Sequence, residues 1–319
     1  MNKKSIVVVG SSNTDMIVRV RHLPRPGETV LGGEFSSAAG GKGANQAVGA
    51  ARAGGNVRLV ARVGMDGLGE QALAGFRRDG INVQSVFRDN TTPSGVALIL
   101  VADDGENCIA VAGGANTRLT SADVKKAAKA IRSASVLVVQ LETPLGTVQT
   151  AATIAARAGV RVILNPAPAQ PLPDSLLQSI SILTPNETEA ELLTGVKVTN
   201  EAAATRAARK LRARGVQAVI LTLGSRGAFL AVVNHEQLVP GFEVKAVDTT
   251  AAGDIFNGAL AVALAEGSSL LEAVRFANAA AAISVTRLGA QPSAPTRREI
   301  DSLLATGKLP RAAKARRPK

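Results

Sequence analysis

The residues Ile6-Val7-Val8-Val9 form a continuous apolar run closed by Gly10, the mark of a strand buried on both faces. Apolar runs of strand length recur at 57–63, 136–141, 161–164, 181–183, 218–223 and 228–233. Helical segments alternate with them over 67–79, 121–131, 145–158, 201–214 and 297–305. Thr120 or Ser121 opens the second of these, with Asp123 in its first turn, and Pro185 stands near another helix start. Two more, 253–266 and 270–285, are dominated by Ala, Val, Leu and Phe and must be largely buried. This alternation predicts an α/β fold: a parallel sheet covered on both faces, with right-handed crossovers.

The rhythm breaks in two places. Residues 16–21 alternate, Pro24 and Pro26-Gly27 punctuate, and 29–31 and 34–37 read as short strands. Later, 95–101 and 107–112 flank a turn at Asp103-Asp104-Gly105. Two hairpin-like insertions predict a small separate sheet, whose exposed face and edges need covering by a substrate or a second subunit.

At 319 residues the chain is long enough for a sizeable core, 46% of it apolar but only 2% aromatic. So few aromatics argue against stacking on single-stranded nucleic acid. Net charge is +12, and six of the positive charges lie in 308–319, which holds no acid and carries Pro310 and Pro318. That tail reads as disordered, either a solvated end or a weak contact for nucleic acid or another polyanion. The body, 1–307, is expected to be one domain. Basic charge on it suits an anionic substrate such as a nucleotide. Cys108 is the sole cysteine, so an internal disulfide is excluded and a reducing compartment, the cytoplasm, is expected. The run 6–9 is too short for a signal peptide, and no apolar stretch approaches a membrane span.

Candidate chemistry gathers at strand ends, where open α/β sheets bind ligands. Asn13 and Asp15 follow the first strand and can reach a polar ligand, or merely form a turn. Gly40-Gly41-Lys42-Gly43-Ala44-Asn45-Gln46 opens a helix running to about residue 53. It lacks the Walker pattern, but its glycines permit close backbone approach, while Lys42 and Asn45 offer donors. Read blandly, it is a glycine-rich helix start. Glu142, Asn186 with Glu189, and Thr222–Gly227 lie at further strand ends. Asp248-Thr249-Thr250-Ala251-Ala252-Gly253-Asp254 leads into the buried helix at 253–266. Its small residues and free N–H groups suit an anion, and Asp254 is either an ordinary cap or a reacting group. His22 and His235 are far apart and in no metal-ligand spacing, and no Ser/His or Cys/His arrangement is present. Acids beside small-residue turns fit phosphoryl transfer. An Asp15/Asp254 pair for glycoside hydrolysis is open on residue types, but gives the glycine loop and the anion-ready helix start no role.

The stretch from Asp248 to Asp254 resembles the D-T-x-x-A-G-D signature of the ribokinase-like sugar kinases. The loop from Gly40 to Gln46 is similar to that family's N-terminal motif. Asn186-Glu187-Thr188-Glu189 matches its N-x-x-E, and Thr222–Gly227 resembles its nucleotide loop. The match runs from about residue 5 to 305. It implies a three-layer sandwich with a mostly parallel sheet, helices on both faces and a small β-sheet lid from about 14–38 and 95–112 that clasps a homodimer. It implies transfer of the ATP γ-phosphoryl group to O5 of D-ribose. Asn13, Thr14, Asp15, Gly41, Lys42, Gly43, Ala44, Asn45 and Glu142 would hold the sugar. Asp254 would act as base, and the backbone of Ala252, Gly253 and Asp254 as anion hole. Asn186, Thr222, Leu223, Gly224, Ser225, Arg226, Gly227 and Asn278 would line the nucleotide site, with Glu189 acting on Mg²⁺ through water. A K⁺ site would draw on Asp248, Thr250, Ser284, Arg287, Gly289 and Ser293. The missing aromatic near Asn13–Asp15 and Gly41–Asn45 favours a free pentose over a nucleoside. A kinase for 2-deoxyribose or another small sugar, and a sugar sensor without turnover, are the alternatives.

Overall fold

The structure is a computed structural model that describes residues 5–31 and 33–309. Residues 310–319, most of the basic tail, lie outside the described residues. Thirteen strands are found among the described residues, and they fall into two sheets. In chain order they are β1 Ser5–Val9, β2 Asn13–Val20, β3 Glu34–Gly40, β4 Asn56–Gly64, β5 Asn82–Asp89, β6 Gly95–Ala102 and β7 Asn107–Ala112. Then come β8 Val136–Val139, β9 Arg161–Leu164, β10 Ile182–Leu183, β11 Ala218–Thr222, β12 Gly227–Val232 and β13 His235–Pro240.

The large sheet has the order β13-β12-β11-β10-β9-β8-β1-β4-β5 and is parallel except where β12 pairs with β11 and β13. In β1, Ile6 and Val8 enter one apolar cluster while Val7 and Val9 enter the other. Both faces of the strand are dry, which is why the run shows no alternation. Helices Lys42–Arg52, Ala252–Glu266 and Leu270–Ser284 cover one face, and Leu145–Arg157 and Glu201–Ala213 the other. The result is the expected three-layer sandwich.

Differences from the sequence reading follow from polar content and position. Residues 29–31 form no strand, because β3 pairs with β2 only from Glu34 onward, beyond the proline-broken loop. The helix expected over 121–131 is two, Ser121–Lys126 and Ala128–Ser133, divided at Ala127. Thr120 opens the first with a capping box to Asp123. The strands β5 and β13 close the two edges of the large sheet, where polar residues are tolerated and no apolar run marks them.

The small sheet, β3-β2-β6-β7, grows from the insertions. Phe35, Leu98, Ile109 and Val111 on it are each more than half exposed. Among the described residues, no helix is long and apolar enough to cross a membrane.

The crossing that shapes the site lies between helices Lys42–Arg52 and Ala252–Glu266. A Cβ at Gly258 would stand 2.6 Å from the Gln46 carbonyl oxygen and 2.7 Å from the Ala50 nitrogen, both backbone. Gly49 faces Ile255 in the same contact. The helices therefore touch backbone to backbone, and their N-termini open side by side. We predict that Gly258→Ala destabilises the fold by about 1–3 kcal/mol, the range for overpacking a tight core. A urea unfolding midpoint equal to that of the unsubstituted chain would refute this.

Candidate active site

Strand β1 ends at Val9, and Ser11 behind it organises the loop from Gly40. Its carbonyl accepts from Ala44 N at 2.8 Å, and its Oγ accepts from Gly43 N at 3.2 Å while donating to Glu142 Oε2 at 2.5 Å. Glu142 also accepts from Lys42 N at 2.9 Å. Gly41 adopts φ 88°, and a Cβ there would sit 2.6 Å from Asn13 N. Only glycine lets the loop lie this close against β2.

Asp254, in the first turn of helix Ala252–Glu266, is 5% exposed. Asn45 Nδ2 donates to its Oδ2 at 3.0 Å, and Gln46 Nε2 to its Oδ1 at 2.9 Å. Burial pushes its carboxyl up, against the pull of Lys42, Gln46 and Asn45 and with help from Glu142. Ala251 turns the chain in with φ 59°, an uncommon conformation for a residue with a side chain. Ala252 N is used internally, donating to Thr249 O at 3.2 Å. The amides of Gly253 and Asp254 point from the helix end with no hydrogen-bond partner among the described residues. An added Cβ at Gly253 would meet no protein atom. The space beside that residue is left open.

Asp15 lies on β2 with its carboxyl raised to about 6 by burial and by the charges of Glu142 and Asp254. The Lys42 ammonium is also buried, yet Asp254, Glu142 and Glu189 hold it above its ordinary value. One lysine is thus surrounded by the carboxylates that line the site. Asn13 Oδ1 accepts from Asn116 Nδ2 at 2.7 Å. Thr14 sits between Asn13 and Asp15 on the strand, so its side chain takes the opposite face. There it lines a cavity with Ser12, Asn13, Ser37, Arg52 and Gln291.

On the other side of Asp254 two cavities meet at Thr249 and Ala252. The nearer, about 180 Å³, is polar and lined by Lys42, Asn186, Glu189, Thr222, Gly253 and Asp254. The farther, about 590 Å³, is a mostly apolar cleft bounded by Gly224–Gly227, Asn278 and the extended segment bearing Phe242, Val244 and Ala246. Leu223 is buried beneath its rim, and Asn278 Nδ2 holds the end of β13 through Val239 O at 3.0 Å. Ser225 is on the rim, and Arg226 reaches out to Glu187 at 2.6 Å.

The N-x-x-E stretch is a reciprocal capping box. Asn186 Oδ1 accepts from Glu189 N at 2.8 Å, and Glu189 Oε2 from Asn186 N at 2.9 Å. The second carboxylate oxygen of Glu189 stays free of that box. Farther out, Asp248 accepts from Thr250 N at 2.9 Å and Gly289 N at 2.8 Å, and these bonds outweigh burial to hold it below its usual range. Val285 O fastens the Asp248 backbone next to Ser284, whose carbonyl accepts from Arg287 N at 3.0 Å. Ser284 and Ser293 hydroxyls donate to carbonyls of their own helices. A single carboxylate among hydroxyls and carbonyls suits a hard monovalent cation. Among the described residues, no cluster of three or more His, Cys, Asp or Glu could hold a metal on its own.

Gln46, Asn116, Asn165 and Asn257, to which no role was assigned from the letters, hold the site residues from behind. Gln46 stands inside the quoted loop motif, but its partners Gln140, Asn165 and Asp254 lie more than ninety residues away in sequence and carry no local mark.

A buried carboxylate, bare helix-terminal amides and a cleft with a glycine-rich rim define a site for moving a phosphoryl group onto a hydroxyl. The chain matches the pfkB family carbohydrate kinase over residues 3–297. It is 46% identical to a ribokinase of Haemophilus influenzae over 93% of this chain and 97% of that one. It is 37% identical to a deoxyribokinase of Salmonella typhi over 94% and 98%. The structure of Arabidopsis thaliana ribokinase complexed with ribose and ATP superposes with a TM-score of 0.88 at 36% identity, covering 94% of this chain and 98% of that one. The chain belongs to the pfkB family of carbohydrate kinases.

If Asp15 holds the sugar, as the resemblance implies, protonation of its carboxyl as pH falls through about 6 removes a charged acceptor from the sugar hydroxyls. KM for the sugar should therefore rise between pH 7 and pH 5. Asp15→Asn should flatten that dependence; a KM independent of pH in the unsubstituted enzyme would contradict the assignment.

Proposed function

We propose that this chain transfers the γ-phosphoryl group of ATP to O5 of D-ribose, giving D-ribose 5-phosphate and ADP. The observation that carries the reading is Asp254, a buried carboxylate whose neighbouring amides at Gly253 and Asp254 are unpaired and face open space. Asn13, Asp15, the loop from Gly41 to Asn45 and Glu142 hold the sugar on one side. The cleft bounded by Gly224–Gly227, Phe242 and Asn278 takes the nucleotide on the other.

Asp254 orients the attacking hydroxyl and takes its proton. The amides of Gly253 and Asp254 stabilise the charge that builds on the transferred group. In a loose transition state the proton leaves late, so the fixed direction of the carboxylate matters more than its basicity. Lys42, between the sugar-side acids and the polar cavity, offsets the charge of the site carboxylates and of the nucleotide's phosphates. The free oxygen of Glu189 suits a water-mediated hold on Mg²⁺, which when bound offsets phosphate charge. The segments joined by the Asp248–Gly289 hydrogen bond suit K⁺, which when bound stiffens the approach to the anion hole. A second copy of the chain covers Phe35, Leu98, Ile109 and Val111 of the small sheet, making a homodimer. The exposed, unpaired thiol of Cys108 suits a reducing compartment, the cytoplasm.

Asp254→Asn should lower kcat by ~10²–10⁴ with little change in nucleotide affinity; an unchanged kcat removes Asp254 from the chemistry. Gly253→Ala should unfold at the same temperature, since its methyl meets no protein atom, while kcat/KM falls. Activity should rise with K⁺ over Na⁺, and indifference to the cation would discard that site. Equal kcat/KM for ribose and 2-deoxyribose would overturn the choice of sugar.

A further inference from the structure

We propose that Gln140 is a positioning residue for the reaction: through the side-chain amide of Gln46 it fixes which way the Asp254 carboxylate is held. The inference deepens the reading of Asp254 as base and rests on it. Gln140 follows β8, is 1% exposed, and its Nε2 donates to Gln46 Oε1 at 2.5 Å. Gln46, fully buried, donates from Nε2 to both Asp254 Oδ1 at 2.9 Å and Asn165 Oδ1 at 3.0 Å.

An amide side chain has a donor end and an acceptor end that fill nearly the same space. Nothing in the shape of Gln46 decides which end meets the base. The acceptor-only carboxylate of Asp254 draws the donor end, and the donor on Gln140 holds the acceptor end on the opposite side. With that donor in place, a turned-over Gln46 would set its NH₂ against the Gln140 NH₂ and its oxygen against the carboxylate. Polarisation along the chain of amides further strengthens the last bond, to Asp254.

A second feature points the same way. Gln140 Oε1 is buried and has no hydrogen-bond partner, a costly condition that native cores mostly avoid. Gly10 leaves the space for it, since a Cβ there would lie 2.1 Å from that oxygen. An apolar side chain of the same length would carry no orphaned oxygen. The glutamine is accounted for by its other end.

The frame also reaches the anion hole. Asn165 lies in contact with Gln46, and Thr184 accompanies it at the next strand end. Thr184 Oγ1 donates to Asn257 Oδ1 at 2.7 Å, and Asn257 Nδ2 to Gly253 O at 2.8 Å. The charged groups facing Asp254 are Lys42, Glu142, Asp15 and Glu189, and none of them touches Gln140 in a hydrogen bond.

The test compares Gln140→Met and Gln140→Glu in the full-length enzyme, with Asp254→Asn as reference. Gln140→Met should lower kcat about tenfold, leave KM for ribose and ATP within twofold, and keep the thermal midpoint, because it removes an orphaned oxygen along with the donor. The acid limb of its kcat–pH profile should move. Gln140→Glu should lose more at pH 8, about a hundredfold, and recover relative to the unsubstituted enzyme as pH falls and the introduced carboxyl gains a proton to donate. Unchanged kcat and pH profile in Gln140→Met overturns the proposal, as does a Gln140→Glu loss independent of pH. If Asp254→Asn is itself fully active, the reading of the base fails first; if it is inactive while both Gln140 variants behave normally, only the role of Gln140 falls.

Discussion

The backbone contact between helices Lys42–Arg52 and Ala252–Glu266 is the constraint from which the site follows. Gly258 and Gly49 remove the side chains that would hold the two apart. Their N-termini then open at one edge of the sheet, the first with its amides taken up by Glu142, Ser11 and Gly41, the second with the amides of Gly253 and Asp254 unpaired. One helix delivers Lys42, Asn45 and Gln46, the other Asp254 and two unpaired amides. Asp254 is tolerated in the dry space between them because side-chain amides from the first helix meet both of its oxygens.

Electrostatics around that point is deliberately unbalanced. Asp254, Glu142 and Glu189 crowd one ammonium, Lys42, and burial, helped by repulsion between the carboxylates, raises Asp15 and Asp254. Such repulsion costs stability in the free enzyme.

Much of this was legible in the letters alone. The continuous run at β1, the two buried alanine-rich helices and the insertions that build the small sheet each follow from a simple periodicity. The loop from Gly40 to Gln46 and the stretch from Asp248 to Asp254 mark both halves of the site. What stayed hidden has a physical reason in each case. The strands β5 and β13 sit at sheet edges, where half-polar sequence is permitted. Thr14 shares a motif with Asn13 and Asp15, but strand alternation sends it to the other face. Ala252 belongs to the small-residue turn, yet its N–H closes that turn on Thr249. Gln140, Asn165 and Asn116 act only through partners distant in the chain, and burial of an amide leaves no local pattern.

In the proposed reaction, Asp254 and the bare amides of Gly253 and Asp254 converge where pentose meets triphosphate. The most direct measurement is a crystal structure of the enzyme with ribose, ADP and a planar fluoride mimic of the transferred phosphoryl group. The 5-hydroxyl is expected about 3 Å from the Asp254 carboxylate, with the mimic's fluorides on those two amides. A sugar bound with its 5-hydroxyl turned from Asp254, or a mimic seated away from that helix end, would contradict it.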